Sequence, residues 1–553
     1  MKKTIIAGLA AFSFALVIHA APPAPGVSAA RMPKDGVHMS PETARLISQG
    51  APSYAIAKSI SATGGKTIAA IFVNFTDATL TAPQIDAYTT SSTSATSGFL
   101  LRMSNYYKEC SYNTLNLTIV TMTGTGGLGY TLSHNMLYYS SNNYANVTNG
   151  SLFNDACNAY TTATGLTITK DSPYNSILVI HAGIGAESVT NPTNQIWSMF
   201  VDFNPATILG GFTEGETVPA GETGSLVPFG VLCHEFGHQL GLVDLYNTSG
   251  VSSPSNLGYW DIMDYGCWAG SPITSPVHAG SNPTHTSAWS KQLLGWVIPT
   301  QVTSSIPLTL RNYENYPDTY RIPILGSSTE YFLLEFRKLV GEDICLPNSG
   351  TVIYHIDDSI GTLSLNNVNS VSPHLRVAVI EADNNSDISS NHGDTGDPWG
   401  DGALFTTPRS DGYAGQSYMT ISNFTGSSTN TVTANLSAIP ATQALSISNF
   451  FNFPNPVKGA AATTIRLTLS RPFTTAELRI FTIAGEQLLD KTIDFSNFQA
   501  TLSDTNKSWI FDYAWDLKNA AGNPVASGLY LCVITTKISG STQSKTSKLV
   551  VVR

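Results

Sequence analysis

The stretch "VLCHEFGHQLGLVDLYN", residues 231–247, decides how the chain reads. It sets His234 and His238 four residues apart, so on a helix both imidazoles share one face and can share one metal ion. Glu235 stands beside the first, placed to take a proton from a metal-bound water. A catalytic zinc needs a third protein ligand, which two histidines do not supply. Gly241 comes three residues after His238 and suits the positive φ that ends a helix and turns the chain. Asp244 follows three residues later, where it can swing back to the metal. The main alternative, a Glu on a later helix, finds no candidate, because no Glu occurs between Glu235 and Glu314. Asp261, Asp264, His278 and His285 are the other local candidates. Asp244 is the predicted third ligand, in the spacing H-E-x-x-H-x-x-G-x-x-D.

A second signal lies about 20 residues on, in "NLGYWDIMDYGCW". Met263 sits there in a tight polar-aromatic turn, as in the Met-turn that follows the zinc helix of metzincins. A lone Met is ordinarily core filler, but here it is paired with the histidine motif. Tyr265, two residues past Met263, is a candidate catalytic residue that would donate its hydroxyl to an oxyanion; a packed aromatic is the competing reading.

The bulk composition agrees with an exported chain. Of 553 residues, 42% are hydrophobic and only 12% charged, about half the usual ~25%. The net charge of −10 excludes the basic surface a nucleic-acid binder needs. "MKKTIIAGLAAFSFALVIHAAPPAPG" has a basic start, an apolar run from Thr4 to Ile18, and small residues at Ala20 and Ala21, the pattern of a secretory signal. That run is short of the ~20 residues a membrane span takes, and no later segment is long and apolar enough. The expected location is secreted, extracellular or cell-surface. Six cysteines are widely spaced without a C-x-x-C, and Cys233 with Cys267 is the first candidate bridge.

The predicted organisation is an α+β multi-domain chain: a signal peptide (1–21), a Pro/Ala/Ser-rich pro-segment (22–65), an α/β catalytic domain (66–300), a β-rich accessory domain (301–440) and a C-terminal β-sandwich (445–553). "KTIAAIFVNFTD" and "NSILVIHAGIGAE" read as buried strands, "SGFLLRMSNYYKECS" as a helix. After residue 301 the helical signal gives way to strands parted by Gly, Asn and Ser turns. The pro-segment is expected to hold the enzyme latent; with no cysteine before Cys110, Asp35 or His38 would be what caps the metal.

With these residues in view, the chain resembles the immune inhibitor A family of secreted metallopeptidases, in the metzincin group, over roughly residues 66–420. The likeness rests on "HEFGHQLGLVDLY", "YWDIMDYGCW", "MSNYYKECSYNTLNLT", "SNPTHTSAWSKQLLGWV" and the later "GTVIYHIDD" and "GDTGDPW". It implies a zinc endopeptidase acting on protein or peptide substrates, with His234, His238 and Asp244 as ligands, Glu235 as general base and Met263 beneath the metal. Two departures stand out: Val243 where the family suggests Pro, and Met199 after "IWS" where it suggests His. The last ~100 residues are similar to Ig-like C-terminal domains of flagellar-hook-assembly or type IX secretion sorting type, implying secretion machinery or surface attachment.

Other marked residues carry less. Asp394, Asp397 and Asp401 in "GDTGDPWGDG" have the oxygen-rich, glycine-turned character of a calcium loop, outside the EF-hand pattern. His181 and Glu187 sit at a strand end that would line the cleft or bind calcium, with an ordinary turn as the default. The competing reading of the whole chain is a non-catalytic cell-surface binding or adhesive protein with a structural or vestigial zinc site. Glu235 weighs against it, since a structural zinc needs no base and is usually closed by four protein ligands.

Overall fold

The computed structural model describes residues 18–24, 60–90, 98–140, 151–190, 192–202, 212, 214–221, 226–249, 257–270, 279–324, 327–363, 366–370, 374–383, 392–406, 409–413, 419–437, 447–469, 475–494, 500–503, 508–538 and 541–553. The apolar run of the signal up to residue 17, Asp35, His38 and His278 lie outside the described residues.

The chain is β-rich with few helices and builds several cores. Its first part runs β1 (Ile18–Ala20), β2 (Gly64–Asn74), α1 (Ala82–Thr89), α2 (Phe99–Cys110), β3 (Leu115–Met122), β4 (Tyr130–Thr131), α3 (Met136–Tyr139), α4 (Ser151–Thr164), β5 (Ser176–His181), β6 (Met199–Asp202), β7 (Glu214–Pro219), α5 (Phe229–Gln239) and α6 (Ala288–Leu294). The strands form one sheet in the order β1-β6-β7-β5-β2-β3, with β4 also on β2. Strands β2, β3, β5 and β7 run parallel, whereas β6 is antiparallel to β7 and β1 to β6. "IAAIFV" is continuously apolar because β2 is central and covered on both faces; Ile68 to Val73 are all buried.

Helix α5 carries the histidine motif and is buried along its whole length against β6, β7 and β1. It ends as the sequence predicts. Gly241 takes φ +101°, its amide donates to His238 O (2.9 Å), and the Leu242 amide donates to Gly237 O (3.0 Å). These two bonds make a Schellman close, which satisfies the last carbonyls and sends the chain back along the helix.

The second part is all strand among the described residues apart from a 3-10 turn at Gly341–Cys345. Strands β8 (Thr300–Gln301), β9 (Ile306–Arg311), β10 (Tyr320–Pro323), β11 (Glu330–Arg337), β12 (Gly350–Asp357), β13 (Val377–Val379), β14 (Thr420–Thr425) and β15 (Thr431–Ser437) make two sheets, β13-β12-β11-β10-β8 and β14-β15-β9. Alternation on β11 and β12 divides their side chains between two cores. Tyr331, Leu333, Tyr354 and Ile356 join the core of the first part, while Phe332, Leu334, Phe336 and Ile353 join that of the three-stranded sheet. Buried charges at this seam are paired: Arg337 with Asp343 (2.6 Å) and Glu335 (3.0 Å), and His285 with Glu109 (2.9 Å) and the Lys291 Nζ (3.1 Å).

Among the described residues the last part has nine strands, β16 (Ile447–Phe453), β17 (Val457–Lys458), β18 (Thr463–Leu469), β19 (Thr475–Thr482), β20 (Gln487–Asp494), β21 (Ala500–Ser503), β22 (Ser508–Trp515), β23 (Gly528–Ile538) and β24 (Ser541–Val552). They form a four-stranded sheet, β16-β18-β22-β21, and a five-stranded one, β17-β24-β23-β19-β20. Ile465, Leu467, Phe511 and Trp515 from the first meet Leu478, Ile480, Cys532 and Leu549 from the second in one core.

The candidate bridge between Cys233 and Cys267 is overturned: all six cysteines are unpaired and buried. Burial pushes the Cys233 and Cys267 thiols well up from their ordinary range, so each packs as a small apolar side chain. The turn holding Cys267 instead meets α5 through backbone; a Cβ at Gly230 would lie 1.7 Å from the Cys267 carbonyl oxygen.

Candidate metal centre

Helix α5 and the reversal at Gly241 bring His234, His238 and Asp244 together. Backbone carbonyls fix both rings: His234 Nδ1–H donates to Ile262 O (2.8 Å) and His238 Nδ1–H to Leu242 O (3.0 Å). The Nε2 atoms then carry lone pairs. They stand 3.2 Å apart, and Asp244 Oδ1 lies 3.1 Å from one and 3.3 Å from the other. Three acceptors facing one another repel unless a cation joins them. Ligands ~2.0–2.1 Å from a tetrahedral zinc are about 3.3 Å apart, so the donor set fits that ion in type and spacing. Burial holds the His238 pKa down and keeps that ring neutral, as a metal ligand must be.

Asp244 is held from outside its own segment. Its backbone amide donates to Asn366 Oδ1 (2.8 Å), and Asn366 Nδ2 donates to Asp244 Oδ2. Asn366 takes φ +49°, so a residue about 120 positions downstream sets the ligand's orientation. Asn369 Nδ2 adds a bond to Leu245 O (2.8 Å), and the Thr248 amide adds one to Ser370 Oγ (2.9 Å). Sequence reasoning missed this clamp because loop pairing at such a distance leaves no periodic trace.

Glu235 is fully buried, and neither carboxylate oxygen meets a hydrogen-bond partner. Burial, then the charges of Asp244, Glu216 and Glu187, push its pKa well up. An unpartnered carboxylate beside a metal-type ligand set is what a general base requires. Met263 is buried under α5: a Cβ at Gly237 would come 2.7 Å from its sulfur, and its carbonyl accepts from the Leu245 amide (2.9 Å).

The remaining candidates have other employment. Tyr265 stacks on His392 with centroids 3.4 Å apart and packs against Tyr259, Ala269 and Cys345. The tyrosine whose hydroxyl faces Asp244 is Tyr246, fully buried on the His234 side. Asp261 accepts from the Met263 amide (2.7 Å), the Ser287 amide (2.8 Å) and Ser290 Oγ (2.6 Å), tying the methionine turn to the start of α6. Asp264 accepts from the Leu257 and Gly258 amides (3.0 and 3.1 Å). His285 belongs to the seam. His181 is buried with Nδ1 on Ala182 O (2.8 Å), and burial lowers its pKa to about 4. Glu187 accepts from the Ser198 amide (3.0 Å) and Ser198 Oγ (2.5 Å). Phe200 on β6 puts its ring 6.3 Å from that of His238, near the position where Met199 departs from the family pattern.

The candidate calcium loop is regrouped. Asp401 is exposed and accepts from the Ser427 amide (2.9 Å), away from its supposed partners, because that amide would otherwise be bare at a turn. Asp397 clusters with Glu381 and Asp383.

The N-terminal stretch supplies a contact the sequence does not announce. β1 pairs with β6, the Ala21 amide donates to Ser198 O (3.3 Å), and Trp197 and Trp268 Nε1 donate to Ala21 O and Pro22 O (2.9 Å each). Past the undescribed residues, the Ile60 amide donates to Gln239 O at the end of α5 (3.2 Å), and Trp296 Nε1 to Ala62 O (2.6 Å). His234, Glu235, His238 and Asp244 are at most 1% exposed.

Comparison with known proteins places this geometry. Residues 169–297 match the profile of the immune inhibitor A peptidase M6 catalytic domain. The pre-pro-metalloprotease PrtV of Vibrio cholerae is 31% identical over 137 residues, 22% of this chain and 14% of that protein. Immune inhibitor A of Bacillus thuringiensis subsp. alesti is 29% identical over 135 residues, 22% of this chain and 18% of that protein. The chain therefore matches less than a fifth of the length of these relatives. Among solved structures, dimeric latent PorU of Porphyromonas gingivalis aligns at 13% identity over 46% of this chain and 19% of its own, with a TM-score of 0.17 that carries no argument. Among the described residues no helix is long and apolar enough to cross a membrane. Residues 169–297, with the His234–Asp244 cluster inside them, are thus similar to the catalytic domain of the immune inhibitor A peptidases, family M6.

Proposed function

We propose that the chain is a secreted zinc-dependent metalloendopeptidase that hydrolyses peptide bonds in proteins. The observation that carries this is the convergence of three lone-pair donors, His234 Nε2, His238 Nε2 and Asp244 Oδ1, beside the unpartnered carboxylate of Glu235. Bound there, zinc supplies a Lewis acid that acidifies water and polarises the scissile carbonyl. Glu235, its pKa raised by burial, takes the proton from the attacking water and delivers it to the leaving amine. The Ile262 and Leu242 carbonyls keep both rings in the tautomer that presents Nε2. Asn366 keeps Asp244 facing them.

Latency belongs to the same reading. A centre at most 1% exposed cannot admit a polypeptide, and the described ends of the expected pro-segment, residues 22–65, are bonded to the body of the domain: Trp268 Nε1 donates to Pro22 O and the Ile60 amide to Gln239 O at the end of α5. Removal of this segment after export uncovers the site. Residues 1–21 act as the signal, and residues 445–553 as an Ig-like sorting or attachment unit.

The test is casein hydrolysis by the processed chain, before and after chelation and with zinc restored. Activity that disappears and returns with zinc is expected. A processed chain that holds one zinc and stays inert on casein and on peptide libraries carries the adhesive-protein reading instead.

A further inference from the structure

Two indoles beside the metal centre grip a short stretch of this chain. Residues 21–24, Ala-Pro-Pro-Ala, run on from β1 and are all buried. Trp197 Nε1 donates to Ala21 O and Trp268 Nε1 to Pro22 O (2.9 Å each). The Ala21 amide donates to Ser198 O (3.3 Å) and the Ala24 amide to Glu187 O (2.9 Å). Every backbone N–H of the stretch is therefore satisfied, since the two prolines carry none. Ala21 and Ala24 are at most 1% exposed and share one core with both tryptophans, so each methyl is enclosed.

The two walls belong to elements that also shape the centre. Trp197 stands just before β6, whose Phe200 ring lies 6.3 Å from that of His238. Trp268 closes the 3-10 turn Tyr265–Trp268 that follows Met263. β1 is antiparallel to β6 with His19 opposite Phe200. Ala21–Ala24 thus lies two to five residues C-terminal to the position that faces this neighbour of the histidine ligand.

Such a seat is selective. Aromatic walls whose indole N–H groups meet the carbonyls of a proline-bearing chain are a recurring means of recognising Pro-rich segments. An ordinary residue in place of Pro22 or Pro23 brings an amide hydrogen into a region closed to water, where it needs an acceptor. A side chain larger than methyl at Ala21 or Ala24 meets a packed wall. Proline also leaves less conformational freedom to lose on binding.

We propose that Trp197 and Trp268 form a peptide-binding subsite for stretches of the type small-Pro-Pro-small, filled in the precursor by Ala21–Ala24 and, once that segment is gone, by proteins rich in alanine and proline. In such a protein the bond that is cut lies N-terminal to the Pro-Pro pair, where β6 runs past His238. Only this last point rests on the hydrolytic reading of the centre.

The test uses the processed chain and a fluorescein-labelled peptide of residues 20–26, AAPPAPG, with binding read by fluorescence anisotropy. Saturable binding is expected, and none to the unprocessed chain, whose seat is filled. Replacing both prolines of the peptide by alanine should weaken binding about tenfold or more. Trp268→Phe, which removes the indole donor and keeps an aromatic ring, should do the same. The peptide series alters nothing in the protein, so it decides the matter even where the Trp268→Phe chain folds poorly. A processed chain that ignores the peptide, or that binds the proline-free version equally well, would overturn the proposal. Anisotropy needs no turnover, so the two readings separate. An inert chain that holds the peptide keeps the subsite and loses the hydrolytic reading; one that cuts casein and ignores the peptide does the reverse.

Discussion

Two clusters of ligand-type side chains share one turn and differ in every other respect. At His234, His238 and Asp244 two ring nitrogens and one carboxylate oxygen converge, nearly closed to solvent, with each ring's far nitrogen pinned by a backbone carbonyl. At Glu381, Asp383 and Asp397 only oxygen is offered, and exposure rises from a buried Asp397 to an exposed Asp383. The first set is rigid and nitrogen-rich, as zinc prefers; the second is adaptable and oxygen-only. The contrast shows how one turn, Gly258 to Met263, takes instructions from both sides: Ile262 reaches the histidines while Trp260 reaches the acids.

Removing a ligand from the first cluster should have the largest effect. His238→Ala is expected to lower zinc affinity more than about 100-fold and to abolish casein hydrolysis, read by metal analysis and by rate. A smaller loss should follow from the clamp. Asn366→Ala should cost about 10–100-fold in zinc affinity, measured by competition with a chromogenic chelator, with activity recovered in excess zinc. If Asn366 were packing alone, excess zinc would not restore the rate.

The floor beneath α5 offers a third comparison. Gly237→Ala puts a Cβ 2.7 Å from the buried Met263 sulfur and should destabilise the folded chain by about 1–3 kcal/mol, seen as a lower Tm. The smallest effect belongs to the acid that stands apart. Asp401→Asn should leave zinc content and casein hydrolysis unchanged, because Asp401 serves the Ser427 amide instead.

Local spacing carried the histidine cluster. Four residues on a helix set the two rings, a glycine set the reversal, and the lack of any nearby Glu left Asp244, whose carboxylate does reach both Nε2 atoms. The buried run of β2 was legible because a strand covered on both faces has no polar side to show. What spacing did not reveal lies far along the chain or depends on backbone. Asn366 and Glu381 reach their partners only through the folding of β11 to β13 onto the first core. Asp401 shared a glycine-rich string with Asp394 and Asp397, yet the chain turns between them and delivers it to another loop. Cysteine spacing misled because the contact between the Cys233 helix and the Cys267 turn runs through Gly230 and a carbonyl. The N-terminal strand was hidden inside a segment whose composition reads as export signal.

The central claim, a metal-bearing set served by a separate base, is tested most directly by Glu235→Gln in the processed chain, with zinc content and peptide-bond cleavage measured on the same sample. The account predicts one zinc per chain, as in the wild type, and a rate lower by about 10²–10⁴-fold. Undiminished cleavage by the zinc-loaded variant would contradict it.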